Sequence, residues 1–322
     1  MAQTFFPITP VEVTPGTSDS WEDVDCSAHI AAGATGVVLH IVTTSYRDVG
    51  YRKNGSSDDR HLAALYSYGH LWGAIGVDDG RIFQAYVGHT TYISIYLVGY
   101  TMVGVTFFTN AIDKTVGSTG SWLGIDISGD TGGDTAIGAI FELTRGNFYF
   151  GMRKNGSSDN RYYYMYDERS AVIIGVDGSE ICEGKYENII QGKFFLVGYV
   201  IDGCTFNLNA TDISLGSTGS WLNLSALPSG VMGFIEVITG SYDQYFGLRK
   251  DTSAEDLRYG GSGGEHAWGM VECSASQIIE GHIAHLDIDF FLVGYAEGPA
   301  APPPTAPASG SMAAKMMATG VI

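Results

Sequence analysis

The first hundred residues alternate between short runs of apolar or β-branched residues and stretches rich in turn-forming residues. Such runs, with a period of two, are typical of strands that bury one face. No helical period of ten or more residues interrupts them, and the best helical candidate is the stretch 60–66. About seven or eight strands in about a hundred residues is the number of an antiparallel sandwich or jelly roll. The runs that predict strands cover residues 11–13, 21–25, 36–43, 49–53, 71–77, 81–86 and 93–100.

The same strand pattern occurs three times along the chain. An aromatic residue followed by Leu-Val-Gly-Tyr ends at Tyr100, at Tyr199 and again at Tyr295. A tryptophan that follows a serine in a Gly/Ser-rich turn recurs at a similar spacing. A period near one hundred residues exceeds the ~20–50 residues of a solenoid repeat. It is the size of a whole small domain, so the chain is predicted to be three tandem copies of one domain.

The predicted fold class is therefore all-β, with three tandem antiparallel β-sandwich domains of jelly-roll character. After the third copy the composition changes to a proline-rich spacer and then to a methionine-rich segment that predicts a short helix. We interpret this helix as a docking peptide for an apolar groove; a disordered tail that only prevents aggregation is the alternative. The predicted boundaries are 1–102, 103–202, 203–297 and 298–322, and the docking residues are Met312, Met316, Met317, Val321 and Ile322.

Composition and charge narrow the classes of partner. Hydrophobic residues make up 45% of the chain, and 44 glycines against 9 prolines favour tight turns over disorder. A net charge of −18 repels phosphate backbones, so we expect no nucleic-acid partner. No window of eighteen apolar residues predicts a membrane span, and the N-terminus has no secretory signal pattern. We therefore expect cytoplasmic synthesis and no membrane insertion.

Candidate catalytic and metal-binding residues do not recur between the copies. The eight histidines share no position common to all three units. Asp23 and Asp25 would lie on one strand face, but this carboxylate pair is lost in the third copy. No phosphate-binding, dinucleotide, nucleophile-elbow or zinc pattern is present. We expect no enzymatic activity, no cofactor and no metal, while calcium at the Ser-Ser-Asp-Asp loop and glycans on the tyrosines stay open alternatives.

A polar loop, Arg-Lys-Asn-Gly-Ser-Ser-Asp, follows a predicted strand in the first two copies and is altered in the third. Because arginines flank the loop on both sides, we predict that they clasp its carboxylates. The repeated large aromatics are predicted to pack in the core of each unit. The predicted clasp residues are Arg52, Asp58, Arg60, Arg153, Asp159, Arg161, Arg249, Asp256 and Arg258, and the predicted core aromatics are Trp21, Trp122, Trp221, Tyr100, Tyr199 and Tyr295.

Taken together, the Ser-Trp-x-Asp-(Val/Ile)-Asp turn, the Gly-Ala-Thr-Gly-Val-Val strand, the Arg-Lys-Asn-Gly loop and the Tyr-Leu-Val-Gly-Tyr strand resemble β-sandwich units of tailed-phage and other virion surface proteins. The resemblance covers residues 1–297. It implies a non-enzymatic structural role in a virus-like particle or filament, as a capsid decoration, fibre or spike subunit that self-associates or binds other particle proteins. A carbohydrate-binding adhesin that recognises surface glycans is the alternative. In either case we expect the protein on a virion or an extracellular particle.

Overall fold

The computed structural model is all-β. It describes residues 3–61, 63–65, 69–144, 148–165, 169–188, 192–224, 227, 230–240, 244–258 and 266–298, and the predicted docking residues 312–322 lie outside these ranges. In these ranges, twenty-three strands form six antiparallel sheets. Within the described ranges there is no helix of the length and apolar character needed to cross a membrane.

The first unit consists of two four-stranded sheets packed face to face. The inner sheet has the strand order β1-β8-β3-β6, and the outer sheet has the order β2-β7-β4-β5. Each sheet alternates early and late strands, which is the arrangement of a jelly roll. Its strands are β1 Phe5–Glu12, β2 Trp21–Asp25, β3 Gly36–Thr43, β4 Arg47–Lys53, β5 Ala63–Leu65, β6 His70–Gly76, β7 Ile82–Val87 and β8 Ile93–Thr101.

The second and third units repeat this topology. Their inner sheets have the orders β9-β16-β11-β14 and β17-β23-β19-β21, and their outer sheets have the orders β10-β15-β12-β13 and β18-β22-β20. The strands of the second unit are β9 Val105–Asp113, β10 Leu123–Asp126, β11 Gly138–Thr144, β12 Phe148–Lys154, β13 Tyr163–Met165, β14 Arg169–Gly175, β15 Ile181–Tyr186 and β16 Lys193–Val200. Those of the third are β17 Cys204–Asp212, β18 Leu222–Asn223, β19 Gly230–Thr239, β20 Phe246–Lys250, β21 His266–Glu272, β22 Ile279–Ile283 and β23 Ile288–Glu297.

Two local features differ from the sequence-based expectation. The helical candidate at 60–66 contains the short strand β5 instead. The first strand begins at Phe5 rather than near residue 11, and its register with β8 shifts between Pro7 and Val11. A proline can occupy this position because β1 is an edge strand, where the missing N–H breaks no ladder bond.

Burial shows that the inner sheets are covered on both faces. Every residue of β3, β6, β11 and β14 is buried, although an isolated sandwich would cover only one face of each sheet. The second face of each inner sheet is covered by the neighbouring units, because β6, β14 and β21 all pack against one another. The three units therefore surround a common centre and form a ring within one chain.

Candidate functional site

Each unit has a tryptophan clasp on its outer sheet. In unit 1 the guanidinium of Arg52 lies over the indole of Trp21, with Cζ 4.1 Å from the ring centroid. Arg52 also donates to the Gln84 side chain at 2.8 Å and to the Asp58 carbonyl. The indole N–H donates to Asp59 at 2.9 Å, so that ring and loop are held together. A cation over an indole contributes about 0.5–1 kcal/mol when exposed.

The same clasp occurs in the other two units. Arg153 lies 4.3 Å from the centroid of Trp122, and Arg249 lies 4.1 Å from that of Trp221. Their indoles donate to Asn160 and Asp256, each at 2.9 Å. A glycine lies beneath each indole, at Gly50, Gly151 and Gly247, where an added Cβ would lie 2.5–2.7 Å from the ring. These glycines leave the space that the indole occupies.

The structure places the tryptophans differently from the prediction. All three indoles are half-buried on the outer sheet and lie outside the hydrophobic core, because their N–H groups bind polar loop atoms. The tyrosines of the Leu-Val-Gly-Tyr strands lie deeper. Tyr199 and Tyr295 are buried, and the half-buried Tyr100 stacks on Phe6 with ring centroids 5.1 Å apart.

The loop arginines also act differently from the prediction. The first arginine of each loop binds a backbone carbonyl rather than a loop carboxylate: Arg52 binds that of Asp58, Arg153 that of Asp159, and Arg249 that of Glu255. The second arginine does pair with a loop carboxylate, Arg60 with Asp58 and Arg161 with Asp159. These second arginines then extend to the next unit.

We call each contact between two units a seam. At the seam between units 1 and 2, Asn110 on β9 accepts from the Ser56 hydroxyl and the Ser57 amide, each at 2.9 Å. The Ala111 N–H donates to Asp58 at 2.7 Å. At the seam between units 2 and 3, Asn209 and Ala210 make the same contacts with Ser157, Ser158 and Asp159, at 2.9, 2.9 and 2.7 Å.

An aromatic residue packs on a pair of glycines at both seams. Phe107 packs on Gly36 and Gly76. A Cβ added at Gly36 would lie 2.3 Å from the Phe107 ring, and one added at Gly76 would lie 2.6 Å from the Phe107 Cβ. Phe206 covers Gly138 and Gly175 in the same way, at 2.4 and 2.5 Å. The glycines are required because any side chain there would displace the neighbouring unit.

A buried ion pair lies deeper in each of these seams. Arg60 donates to Glu142 at 2.6 Å, and Arg169 pairs with the same carboxylate from the other side. Arg169 also donates to the Val49 carbonyl of unit 1. Burial lowers the pKa of Arg169 to about 10. The carboxylate is 1% exposed and therefore depends on these two guanidinium groups for its partners.

The seam between units 2 and 3 has the equivalent arrangement with a histidine. Arg161 donates to Glu236 at 2.5 Å. His266 contacts Glu236 through Nε2 at 2.6 Å and the Phe150 carbonyl through Nδ1 at 3.1 Å. Strand register makes Glu236 equivalent to Glu142 and His266 equivalent to Arg169.

The third seam, between unit 3 and unit 1, is the closing seam because no peptide link joins these two units. Register places His40 where the other seams have Glu142 and Glu236. The loop position equivalent to Arg60 and Arg161 is Leu257, one residue before Arg258. Among the residues that the structure describes, the equivalent ion pair is therefore absent from the closing seam.

Arg258, which was predicted as a clasp residue, pairs with the loop carboxylate Asp256 at 2.8 Å, where both side chains are exposed, and lies near His282. Its place in the loop is not equivalent to that of Arg60. Asp256 is the indole acceptor of unit 3 and is thus equivalent to Asp59 rather than to Asp58. The arginine that ends the third loop therefore lies one residue further along the chain than Arg60 and Arg161 do in their loops.

Within the described part of the chain, the closing seam also lacks the hydrogen bonds that Asn110 and Ala111 make with the loop at the first seam. Thr9 and Pro10 replace the Asn and Ala, and Pro10 has no N–H to donate to Glu255. A cavity of about 240 Å³ occupies this region, lined by both units, including Trp72 and Met270. Burial, and then the charge of Glu272, raise the pKa of Glu255.

The contacts among the described residues explain how the units are held together more directly than they explain any chemical reaction. Two of the three seams share a set of paired polar groups that join one unit to the next. No group of three or more His, Cys, Asp or Glu side chains that could hold a metal ion occurs among the residues that the structure describes. The absence of catalysis stays a prediction.

Sequence reasoning missed the residues that join the units. Glu142 and Glu236 are single carboxylates inside otherwise apolar strands, and Arg169 and His266 each begin a buried strand. A charged residue in a run that reads as fully buried is a signal that it has a partner, since an unpaired buried charge is costly. That signal could have identified these four residues as paired, although it could not have shown which unit supplies each partner.

Comparisons with known proteins give no family for the chain. No protein-family model matches it, and no curated protein matches it. Among solved structures, a chain of Sulfolobus Turreted Icosahedral Virus shares 8% sequence identity, with 92% of each chain covered, at a TM-score of 0.22. A likeness at that TM-score carries no argument.

Proposed function

We propose that this chain is a non-enzymatic structural protein of a virus-like particle or filament, acting as a decoration, fibre or spike subunit. The observation that carries the proposal is the closed ring of three jelly-roll units, with equivalent contacts at successive seams. A ring made by one chain presents three similar outer surfaces in fixed geometry. Such a body suits a position of threefold or pseudo-threefold symmetry in a larger assembly.

Two further features support this proposal. Polar side chains that recur from unit to unit form bonds across the seams, and the ion pairs there are buried. Packed contacts rather than open clefts therefore dominate these seams. The net charge of −18 favours solubility and disfavours binding to nucleic acid, and both properties suit a protein on the surface of a particle. We propose self-association or other particle proteins as partners, and a virion or extracellular particle as the location.

The test is direct imaging of the full chain. The purified protein is sized by light scattering after chromatography and imaged by electron microscopy across a concentration series. We expect discrete oligomers, filaments or particle-like assemblies. A protein that stays monomeric at the highest soluble concentration, and that hydrolyses glycosides, esters or peptides in a broad screen, would contradict the proposal on both counts.

The tail belongs to the same proposal. Residues 299–322 are proposed to dock on a neighbouring subunit, with the five predicted apolar residues as contacts. Deleting residues 299–322 should leave the three units folded, as judged by circular dichroism, and should weaken assembly. Equal assembly by the truncated and the full chain would show that the tail does not dock.

A glycan-binding adhesin is the second candidate, and exposed tyrosines favour it. Tyr46, Tyr92, Tyr149, Tyr163 and Tyr245 are each 37–45% exposed, and tyrosine rings can stack on sugars. A glycan array with the full chain tests this candidate. Binding that is lost on Tyr149→Ala with the fold intact would favour the adhesin, and an array without signal would exclude the glycans displayed.

A further inference from the structure

In both seams between consecutive units, the loop carboxylate has a cation and an N–H group as partners. Asp58 pairs with Arg60 of its own loop and accepts from the Ala111 N–H of the next unit at 2.7 Å. Asp159 has the same two kinds of partner, an arginine at 2.9 Å and an N–H group at 2.7 Å. The carboxylate therefore joins its own loop to the edge strand of the next unit.

Glu255 holds the equivalent position at the closing seam, where both partners are missing. The place of the N–H group is taken by Pro10, which has none. The place of Arg161 is taken by Leu257, because each of these residues has its carbonyl close to the glycine beneath the indole of its own unit. Among the described residues, the remaining partner of the Glu255 carboxylate is the Ser253 hydroxyl. A half-buried carboxylate is thus left without the cation that its equivalents have.

The cavity of about 240 Å³ lies beside Glu255, where unit 3 meets the edge strand of unit 1. At its register shift β1 has residues 8–10, whereas β9 has 108–111 and β17 has 207–210, so β1 is one residue shorter. The residue before the shift is a proline in β1 and a phenylalanine in the other two strands. Together, the shorter bulge and the smaller side chain account for the open space.

The cavity is lined by the equivalents of the two carboxylates that an arginine bridges at the first seam. There Arg60 contacts both Asp58 and Glu142. Their equivalents at the closing seam are Glu255 and His40, and both line the cavity. His40 is 6% exposed, and only its Nε2 has a hydrogen-bond partner among the described residues. A guanidinium group in the cavity is therefore placed to reach the same two positions.

We propose that the cavity of the closing seam binds an alkylguanidinium group, carried either by an arginine of a partner protein or by a free small molecule. This cation takes the place of the arginine that the third loop lacks. The inference rests on the contacts between the units and holds whether or not the protein belongs to a particle.

The walls of the cavity suit a planar cation on an apolar stem. Trp72 is 3% exposed and stacks on His40 with ring planes 4° apart, and guanidinium groups stack well on aromatic rings. Register makes Trp72 equivalent to Trp268, and the seam between units 2 and 3 contains both Trp268 and Arg161. An indole at this position therefore leaves room for an arginine side chain. Met270 also lines the cavity and offers an apolar contact for the methylene groups.

The charges that line the cavity leave Glu255 available for a cation. The two cationic side chains there are already engaged, since Lys250 pairs with Glu272 at 2.5 Å and Arg249 pairs with a carboxylate of its own sheet at 2.7 Å. Burial, and then a neighbouring imidazole, lower the pKa of His40 well below its ordinary value. The ring is therefore neutral near pH 7 and does not repel a bound cation.

The test measures the binding of N-butylguanidinium to the full chain by isothermal titration calorimetry at low ionic strength. Two variants with the same net charge separate the cavity from the acidic surface. Glu255→Gln removes the carboxylate of the cavity, and Asp287→Asn removes one that is 56% exposed and lies outside it. We expect one equivalent to bind saturably to the unmodified chain and to Asp287→Asn, and at least about tenfold more weakly to Glu255→Gln. Butylurea, which has a similar shape without the charge, should not bind to any of them.

A third variant supplies the guanidinium from within the chain. Leu257→Arg should abolish the binding of butylguanidinium and raise the melting temperature, while circular dichroism checks the fold. If this variant does not fold, the comparison of Glu255→Gln with Asp287→Asn still decides the question.

A second probe, the blocked tripeptide acetyl-Ala-Arg-Ala-amide, distinguishes the two sources of the cation. Binding at least as tight as that of butylguanidinium assigns the cavity to an arginine of a partner protein, and binding of butylguanidinium alone assigns it to a free small molecule. The proposal is overturned if the unmodified chain shows no saturable binding of butylguanidinium, if Glu255→Gln binds it as tightly, or if butylurea binds equally well.

Discussion

Replacing Glu236 by glutamine tests whether the seams are held by their buried ion pairs. Glu236 is fully buried and accepts from Arg161 at 2.5 Å and from His266 at 2.6 Å. The amide removes the negative charge and leaves Arg161 opposite a neutral group. Breaking a buried pair by removing one partner typically costs about 3–5 kcal/mol. We expect the free energy of unfolding of Glu236→Gln to fall by that amount.

Urea denaturation, followed by tryptophan fluorescence and circular dichroism, measures this loss. The matched control is Asp113→Asn, which breaks the pair with Lys193, where the side chains are 47% and 37% exposed. An exposed pair contributes about 0.2–1 kcal/mol, so the control should change little. A loss below about 1 kcal/mol for Glu236→Gln would refute the reasoning, because the buried carboxylate would then not depend on its partners.

A double variant tests whether the loss of stability comes from the charge that a single substitution leaves without its partner. Arg161→Leu/Glu236→His gives this seam the side chains that the closing seam has at the two positions, and it removes both members of the buried pair. We expect it to be less destabilised than Glu236→Gln, since removing both partners avoids the cost of the remaining one. A double variant at least as unstable as the single variant would show that the two side chains contribute independently of each other.

Three other predictions concern the clasp and the thiols. Trp122→Phe keeps the ring under Arg153 but loses the indole bond to Asn160, and should cost about 0.5–1.5 kcal/mol in a thermal melt. Gly151→Ala should cost about 1–3 kcal/mol in the same melt, because its Cβ would lie 2.6 Å from that indole; an unchanged melting temperature would contradict the tight packing. Burial raises the pKa of Cys182 to about 12, so a thiol reagent at pH 8 should label it only after unfolding; rapid labelling of the native protein would refute this burial.

The strands and the threefold repeat could be predicted from the sequence, since both follow from local period and turn residues. The period-two runs gave most strands of unit 1 within a few residues, because one face of each strand is buried in its own unit. The short β5 was missed because a three-residue strand has too few positions to show a period. The early residues of β1 were missed because the prolines there favour an extended entry segment over a paired strand.

The seams could not be predicted, because they depend on which faces of different units meet. Arg60 reads as a loop residue, and its partner Glu142 is 82 residues away in the next unit. The tryptophans were assigned to the core because large aromatics usually pack there, whereas a polar acceptor at Asp59 holds Trp21 at the surface. The shift of the third loop by one residue became visible only through the strand register of Arg249.

The central claim is that unit 3 packs against unit 1 and closes the ring. Spin labels on Thr9→Cys and Ala254→Cys report on the closing seam, since these exposed positions are equivalent to Asn110 and Ser57 of the first seam. Electron paramagnetic resonance at pH 7.5 measures the dipolar coupling between the two labels, with each singly labelled protein as the control. The ring predicts strong dipolar broadening, because the two labels lie close together. A doubly labelled spectrum equal to the sum of the two singly labelled spectra would contradict ring closure.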